Sequence, residues 1–122
     1  MQIRNISPIR FSQSGSTCVF QIDYSAVFSQ GEVASHFTFA DSVRVMEDDT
    51  SDDDIVQNWL REESWTPTDT QDDWTWTVRV NEDDVDTELG GEEIYLQIRL
   101  RNVTTSSPSI FASTGIIQVS PG

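Results

Sequence analysis

Apolar and polar residues alternate along much of this chain, and a two-residue period marks a strand buried on one face. From Thr17 to Phe28, the positions Cys18, Phe20, Ile22, Tyr24, Ala26 and Phe28 fall on one face, with Thr17, Gln21, Asp23 and Ser25 mainly on the other. A second stripe takes Val33, Phe37, Phe39, Val43 and Val45, with a break expected at Ala40-Asp41-Ser42. Trp74, Trp76, Val78 and Val80 form a third stripe. Ile94, Leu96, Ile98 and Leu100 form a fourth, opposite Glu93, Tyr95, Gln97, Arg99 and Arg101. Shorter strands are predicted around Ile3 to Phe11 and Ile110 to Val119. Turn residues separate the stripes. Ser14-Gly15-Ser16 is expected to join the first two strands and Gln30-Gly31-Glu32 to close a hairpin. Gly90-Gly91 precedes the fourth stripe, and Ser106-Ser107-Pro108 marks the last turn.

One segment has a different period. Ile55, Val56, Trp59 and Leu60 recur at helical spacing within Asp52 to Glu62. Ser51 stands where an N-cap belongs, and Asp52, Asp53 and Asp54 stand where a helix dipole favours negative charge. The spacing predicts a short helix near residues 52–62, with Pro67 limiting its extension. Six to seven antiparallel strands and this helix predict a mainly β fold, an antiparallel β-sandwich of immunoglobulin-like or jelly-roll-like kind. A small closed barrel is the alternative. No linker or internal repeat divides the sequence, so residues 1–122 read as one domain.

Composition adds a core and a charge problem. A hydrophobic share of 36% with 10% aromatics suits a folded chain better than a disordered one. Cys18, the one cysteine, cannot form an internal disulfide and shares its face with Phe20 and Ile22, so it reads as a small core hydrophobe. The net charge is −14. Residues 47–93 hold 18 of the acids and only two arginines, Arg61 and Arg79, while the remainder is close to neutral. There is no lysine. Clustered Lys and Arg are what phosphate backbones and anionic membranes require, so neither nucleic acid nor a membrane is expected as a direct partner. No apolar run approaches the roughly 20 residues that span a bilayer. The N-terminal stretch also lacks the apolar segment of a signal peptide. The expected location is therefore cytoplasmic, or a virion if the chain is viral.

Catalytic chemistry has few candidates. His36 is the single histidine, and nothing nominates a nucleophile or an orienting group for it. Carboxylate pairs such as Glu62-Glu63 and Glu92-Glu93 are abundant, but glycoside hydrolysis depends on placement across a cleft. GxGxxG, phosphate-loop and CxxC motifs are all absent. No catalytic residue and no cofactor are expected. Calcium is the one cation that the acidic loops suit, with Asp48, Asp49, Asp52 and Asp54 as candidate ligands, although the run lacks EF-hand spacing. Four tryptophans fall between Trp59 and Trp76. Trp59 lies on the helical stripe, and Trp74 and Trp76 on a strand stripe, so these three are expected in the core. Trp65, in a polar stretch beside Pro67, is expected at the surface. Together with Glu82, Asp83, Asp84 and Asp86 it makes up the candidate interaction residues.

These features predict a non-enzymatic structural or interaction subunit of a larger assembly. A phage or virus particle is the expected setting, with the chain a decoration, neck, tail or baseplate protein. Its partners are then other protein subunits, in a homo- or hetero-oligomer. One alternative is a calcium-assisted carbohydrate-binding module that uses Trp65. Another is an acidic nucleic-acid mimic that inhibits a DNA-binding protein. Absence of lysine with an excess of Asp over Glu also fits a high-salt habitat.

Overall fold

The computed structural model describes residues 1–85 and 91–121. In chain order the elements are β1 (Gln2–Arg4), β2 (Arg10–Ser14), β3 (Thr17–Val27), α1 (Gln30–Ala34), β4 (Phe39–Glu47), β5 (Asp54–Gln57), β6 (Glu63–Trp65), β7 (Gln71–Asn81), α2 (Glu82–Val85), β8 (Glu92–Asn102), β9 (Ile110–Ser113) and β10 (Ile117–Val119). All pairing is antiparallel. In the first sheet, β3 pairs with β7 along its whole length, from Thr17↔Asn81 to Val27↔Gln71. Its other side takes β2 and then β1. In the second sheet, β4 and β8 pair from Phe39↔Asn102 to Glu47↔Ile94. The free side of β4 takes β6 and β5, and that of β8 takes β9 and β10.

Each short pair shares one side of a longer strand, so the described strands fill seven positions, within the six to seven expected. The order is β7-β3-(β2/β1) facing (β6/β5)-β4-β8-(β9/β10). This is a β-sandwich, and its connectivity is the immunoglobulin-like one of the two anticipated. The inward positions of the stripes meet in register: Cys18↔Val80 and Phe20↔Val78 in one sheet, Val43↔Ile98 and Val45↔Leu96 in the other. All of these side chains are buried, Cys18 among them. Burial of each larger one is worth roughly 1.5–3 kcal/mol.

Three expectations need correction. No helix forms over 52–62: β5 lies there, paired to the C-terminal end of β4 through Met46↔Ile55 and Glu47↔Asp54. Beyond it, Leu60 N–H donates to the Val43 carbonyl, and Ser42 Oγ donates to the Leu60 carbonyl at 2.5 Å. Covering the exposed edge of β4 outweighs a weak helical preference, because β-branched Ile55 and Val56 are at ease extended. Secondly, the hairpin expected at Gln30-Gly31-Glu32 is helix α1, which carries the chain from one sheet to the other. Ser29 caps it: its side chain accepts from Glu32 N–H, and the Glu32 carboxylate accepts from Ser29 N–H. Thirdly, β4 runs unbroken through Ala40-Asp41-Ser42. Val33 lies in α1, and Phe37 lies in the connector to β4 together with exposed His36. The turn at Gly15 forms as expected, with a φ of 59° that suits glycine. Gly90 lies outside the described residues.

Candidate ligand cleft

The sandwich has an open side, where edge strand β7 of one sheet faces edge strand β6 of the other. Trp74 and Trp76 project inward from β7, as their register opposite Tyr24 and Ile22 requires. β7 has no further strand to cover it among the described residues, so Trp74 remains 37% exposed despite lying on the apolar face. Trp65, at the end of β6, meets Trp74 edge-on with ring centroids 4.9 Å apart, and Phe28 closes behind it at 6.1 Å. Trp65 Nε1 donates to Asp72 Oδ2 at 2.9 Å, which fixes the indole. Trp65, Trp74 and Trp76, with Asp41, Glu63 and Thr75, line a cleft of about 320 Å³. That volume suits one side chain or one small ring.

The floor of the cleft holds a carboxylate in a core position. Asp41 alternates with Phe39 and Val43 on the inward face of β4 and is only 2% exposed. Its Oδ2 accepts hydrogen bonds from the Tyr24 hydroxyl and, at 2.9 Å, from Trp76 Nε1. Both donors are neutral. Directly across the strand pair stands Glu63, on the same face. Like charges so opposed are destabilising. Burial pushes the Asp41 carboxyl above its ordinary range, the Tyr24 and Trp76 hydrogen bonds pull it back, and the Glu63 charge pushes it up again. Burial also raises the Tyr24 hydroxyl, and the Asp41 charge adds to that rise. Among the described residues no basic side chain lines the cleft. Asp41 and Glu63 both belong to the β4–β6 wall, whereas the carboxyls of a glycosidase flank the scissile bond.

The chain matches no family model, no curated protein and no solved structure.

The residues singled out in the sequence divide. Trp65 lines the cleft, half-buried rather than fully at the surface. Trp74, expected in the core, is the more exposed of the two. Trp76 is half-buried against the core as well as lining the cleft. Trp59 is not core either: it lies on the outer face of the second sheet, with the Arg44 and Arg99 guanidinium carbons 4.7 and 4.5 Å from its ring centre. Glu82, Asp83 and Asp84 form α2 at the far end of β7 from the tryptophans, where Val85 anchors the helix in the core. Gln13 Nε2 donates to Glu82 Oε2 there at 2.7 Å. Asp86 lies outside the described residues.

Of the calcium candidates, Asp48 and Asp49 line a second cleft with Glu47 and Glu93, while Asp52 and Asp54 do not line it. Among the described residues, no group of three His, Cys, Asp or Glu side chains is placed to hold a metal ion. Asp53, which was not among the calcium candidates, accepts from the Asp49 amide and from the Tyr95 hydroxyl. No described helix is long and apolar enough to cross a membrane. Asp41 and Glu63 are the cleft residues that sequence reasoning missed. The signal was present: a carboxylate on the inward parity of β4, between Phe39 and Val43.

Proposed function

We propose that this domain is a non-catalytic interaction module that takes a basic group of a partner protein into the tryptophan cleft. The observation that carries this reading is Asp41: a buried carboxylate on an inward position, opposed by Glu63, in a cleft that no basic side chain lines among the described residues. Burying such a carboxylate costs stability, which the Tyr24 and Trp76 hydrogen bonds offset without supplying an opposite charge. A guanidinium or ammonium supplies the missing charge to Asp41 and Glu63, and the indole faces of Trp65, Trp74 and Trp76 attract it through their negative π surfaces. The overall charge of −14 draws basic partners at long range. The partner in this reading is another subunit of a larger assembly. A phage or virus particle is the setting expected for a small sandwich without a catalytic pair. The acids of residues 47–93 do not favour a nucleic-acid mimic, since Asp73 lies on the outer face of one sheet, Glu62 on that of the other, and Glu47 and Glu92 inside.

A single side-chain contact of this kind combines a cation–π term of about 1–2 kcal/mol with charge-assisted hydrogen bonds of about 2–3 kcal/mol. Dissociation constants near 1 mM follow for one residue. The test is a tryptophan-fluorescence titration with N-acetyl-arginine amide, its neutral counterpart N-acetyl-glutamine amide, and a neutral oligosaccharide. Saturable quenching by the arginine amide alone, weakened by salt, is the expected result. Equal response to the glutamine amide removes the charge argument. Saturation by the oligosaccharide alone assigns the cleft to a sugar ring, the reading that three clustered indoles also suit.

A further inference from the structure

From the edge that borders this cleft, we infer that the partner arrives as an extended basic strand that pairs with β7 and adds to the first sheet. The inference rests on the reading of the cleft as a receptor for a basic group, and it names the form in which that group is delivered. β7 is an eleven-residue strand whose only partner among the described residues is β3. Its pairing with β3 runs in continuous register, with no bulge to twist the edge away. Natural edges of this length are usually blunted by proline, lysine, bulges or a covering segment. β7 has neither proline nor lysine, and from Trp74 to Val78 it carries no charge. An edge left flat and uncharged at its centre is the template that strand addition uses, where backbone hydrogen bonds give affinity and alternate side chains give specificity.

Geometry links this edge to the cleft. A strand added beside β7 lies about 4.8 Å away, with its side chains alternating between the two faces of the sheet. Every second residue then points inward, alongside Trp74 and Trp76. Cross-strand neighbours of this kind have Cβ atoms about 5 Å apart. An inward arginine or lysine opposite Trp74 or Trp76 therefore enters the cleft over Asp41, and from Trp74 the next inward position lies opposite Asp72. The charges flanking the uncharged centre are mostly negative: Asp72 and Asp73 on one side, Arg79 and then the acidic α2 on the other. A second copy of the chain suits the edge poorly, since each copy carries −14. The occupant is a segment with basic residues at alternate positions.

The probe is a blocked heptapeptide in which threonine and arginine alternate, compared with N-acetyl-arginine amide. Two further peptides carry N-methyl groups on the arginine nitrogens or on the threonine nitrogens. In an added strand only one of these sets faces β7. The heptapeptide is expected to bind at least ten-fold more tightly than the single amide. One methylation pattern abolishes that gain and the other retains it, and β7 amides exchange more slowly in the complex. Equal binding of the two methylated peptides overturns the inference, because charge alone then explains the affinity. A dimer of the protein alone with protected β7 amides overturns it too, and gives the edge to a second copy. If the arginine amide leaves the tryptophan signals unchanged while heptapeptide binding still depends on the methylation pattern, the edge stands and the cleft reading falls.

Discussion

Replacing Asp41 with Asn separates two jobs that one carboxyl performs. In the fold, Oδ2 accepts from the Tyr24 hydroxyl and from Trp76 Nε1. An amide oxygen accepts the same two bonds, and the substitution also removes the cost of desolvating a charge opposite Glu63. Asp41→Asn should therefore keep stability within about 1 kcal/mol of the parent at neutral pH, or raise it. Asp41→Ala leaves a hydroxyl and an indole N–H without their acceptor, at about 1–3 kcal/mol each, so roughly 2–6 kcal/mol is lost. Binding follows a different order. Neutralising one member of a desolvated charge pair costs about 2–5 kcal/mol, so Asp41→Asn weakens the arginine-bearing ligand by at least about 30-fold. Urea unfolding measures the first effect and a fluorescence titration the second. If Asp41→Asn destabilises as much as Asp41→Ala, the charge is part of the fold. If it binds like the parent, the cleft does not read charge.

Other outcomes follow from the same geometry. Because the ligand prefers ionised Asp41, whose pKa is raised above 3.8, affinity should fall as pH drops through that raised value, while stability gains from Asp41 over the same interval. Asp23, held down by its hydrogen bond to Arg10, and Glu62, held down by its hydrogen bond to Arg101, act in the opposite sense. Their contributions are complete above the unfolded values of 3.8 and 4.5 and are lost as pH falls below them, which urea unfolding across pH records. Trp74→Ala removes an exposed wall of the cleft and should weaken binding roughly ten-fold with a small change in stability, read by titration and thermal melting. Ser29→Ala removes the cap of α1 and should cost about 1 kcal/mol in urea unfolding. Ile98→Ala empties a fully buried position and should cost about 2–5 kcal/mol in the same assay.

The alternation in β3, β7 and β8 was legible because each pairs over many residues with one face in the core. β4 was harder to read. Its inward position 41 holds a carboxylate where the pattern calls for an apolar residue, so the sequence suggested a break just where the structure places the cleft floor. Local rules fail most often at functional or strained positions, and at Asp41 the apolar pattern fails. Trp74 was misjudged for a different reason. Parity tells which way a side chain points, but not whether its strand lies at an open edge, and that depends on strand order. The false helix at 52–62 shows a helical spacing overruled by the unsatisfied edge of β4. α1 was missed although Ser29 and Glu32 spell out a capping box, because Gly31 drew attention to a turn.

The most direct test of the account is the titration of Asp41 itself, followed through its carboxyl carbon by NMR with and without N-acetyl-arginine amide. The account predicts a pKa above the ordinary value of 3.8 in the protein alone, and a clear downward shift when the arginine amide is bound. Superimposable titration curves in the two conditions would contradict it, because the cleft would then hold no cation against its buried carboxylate.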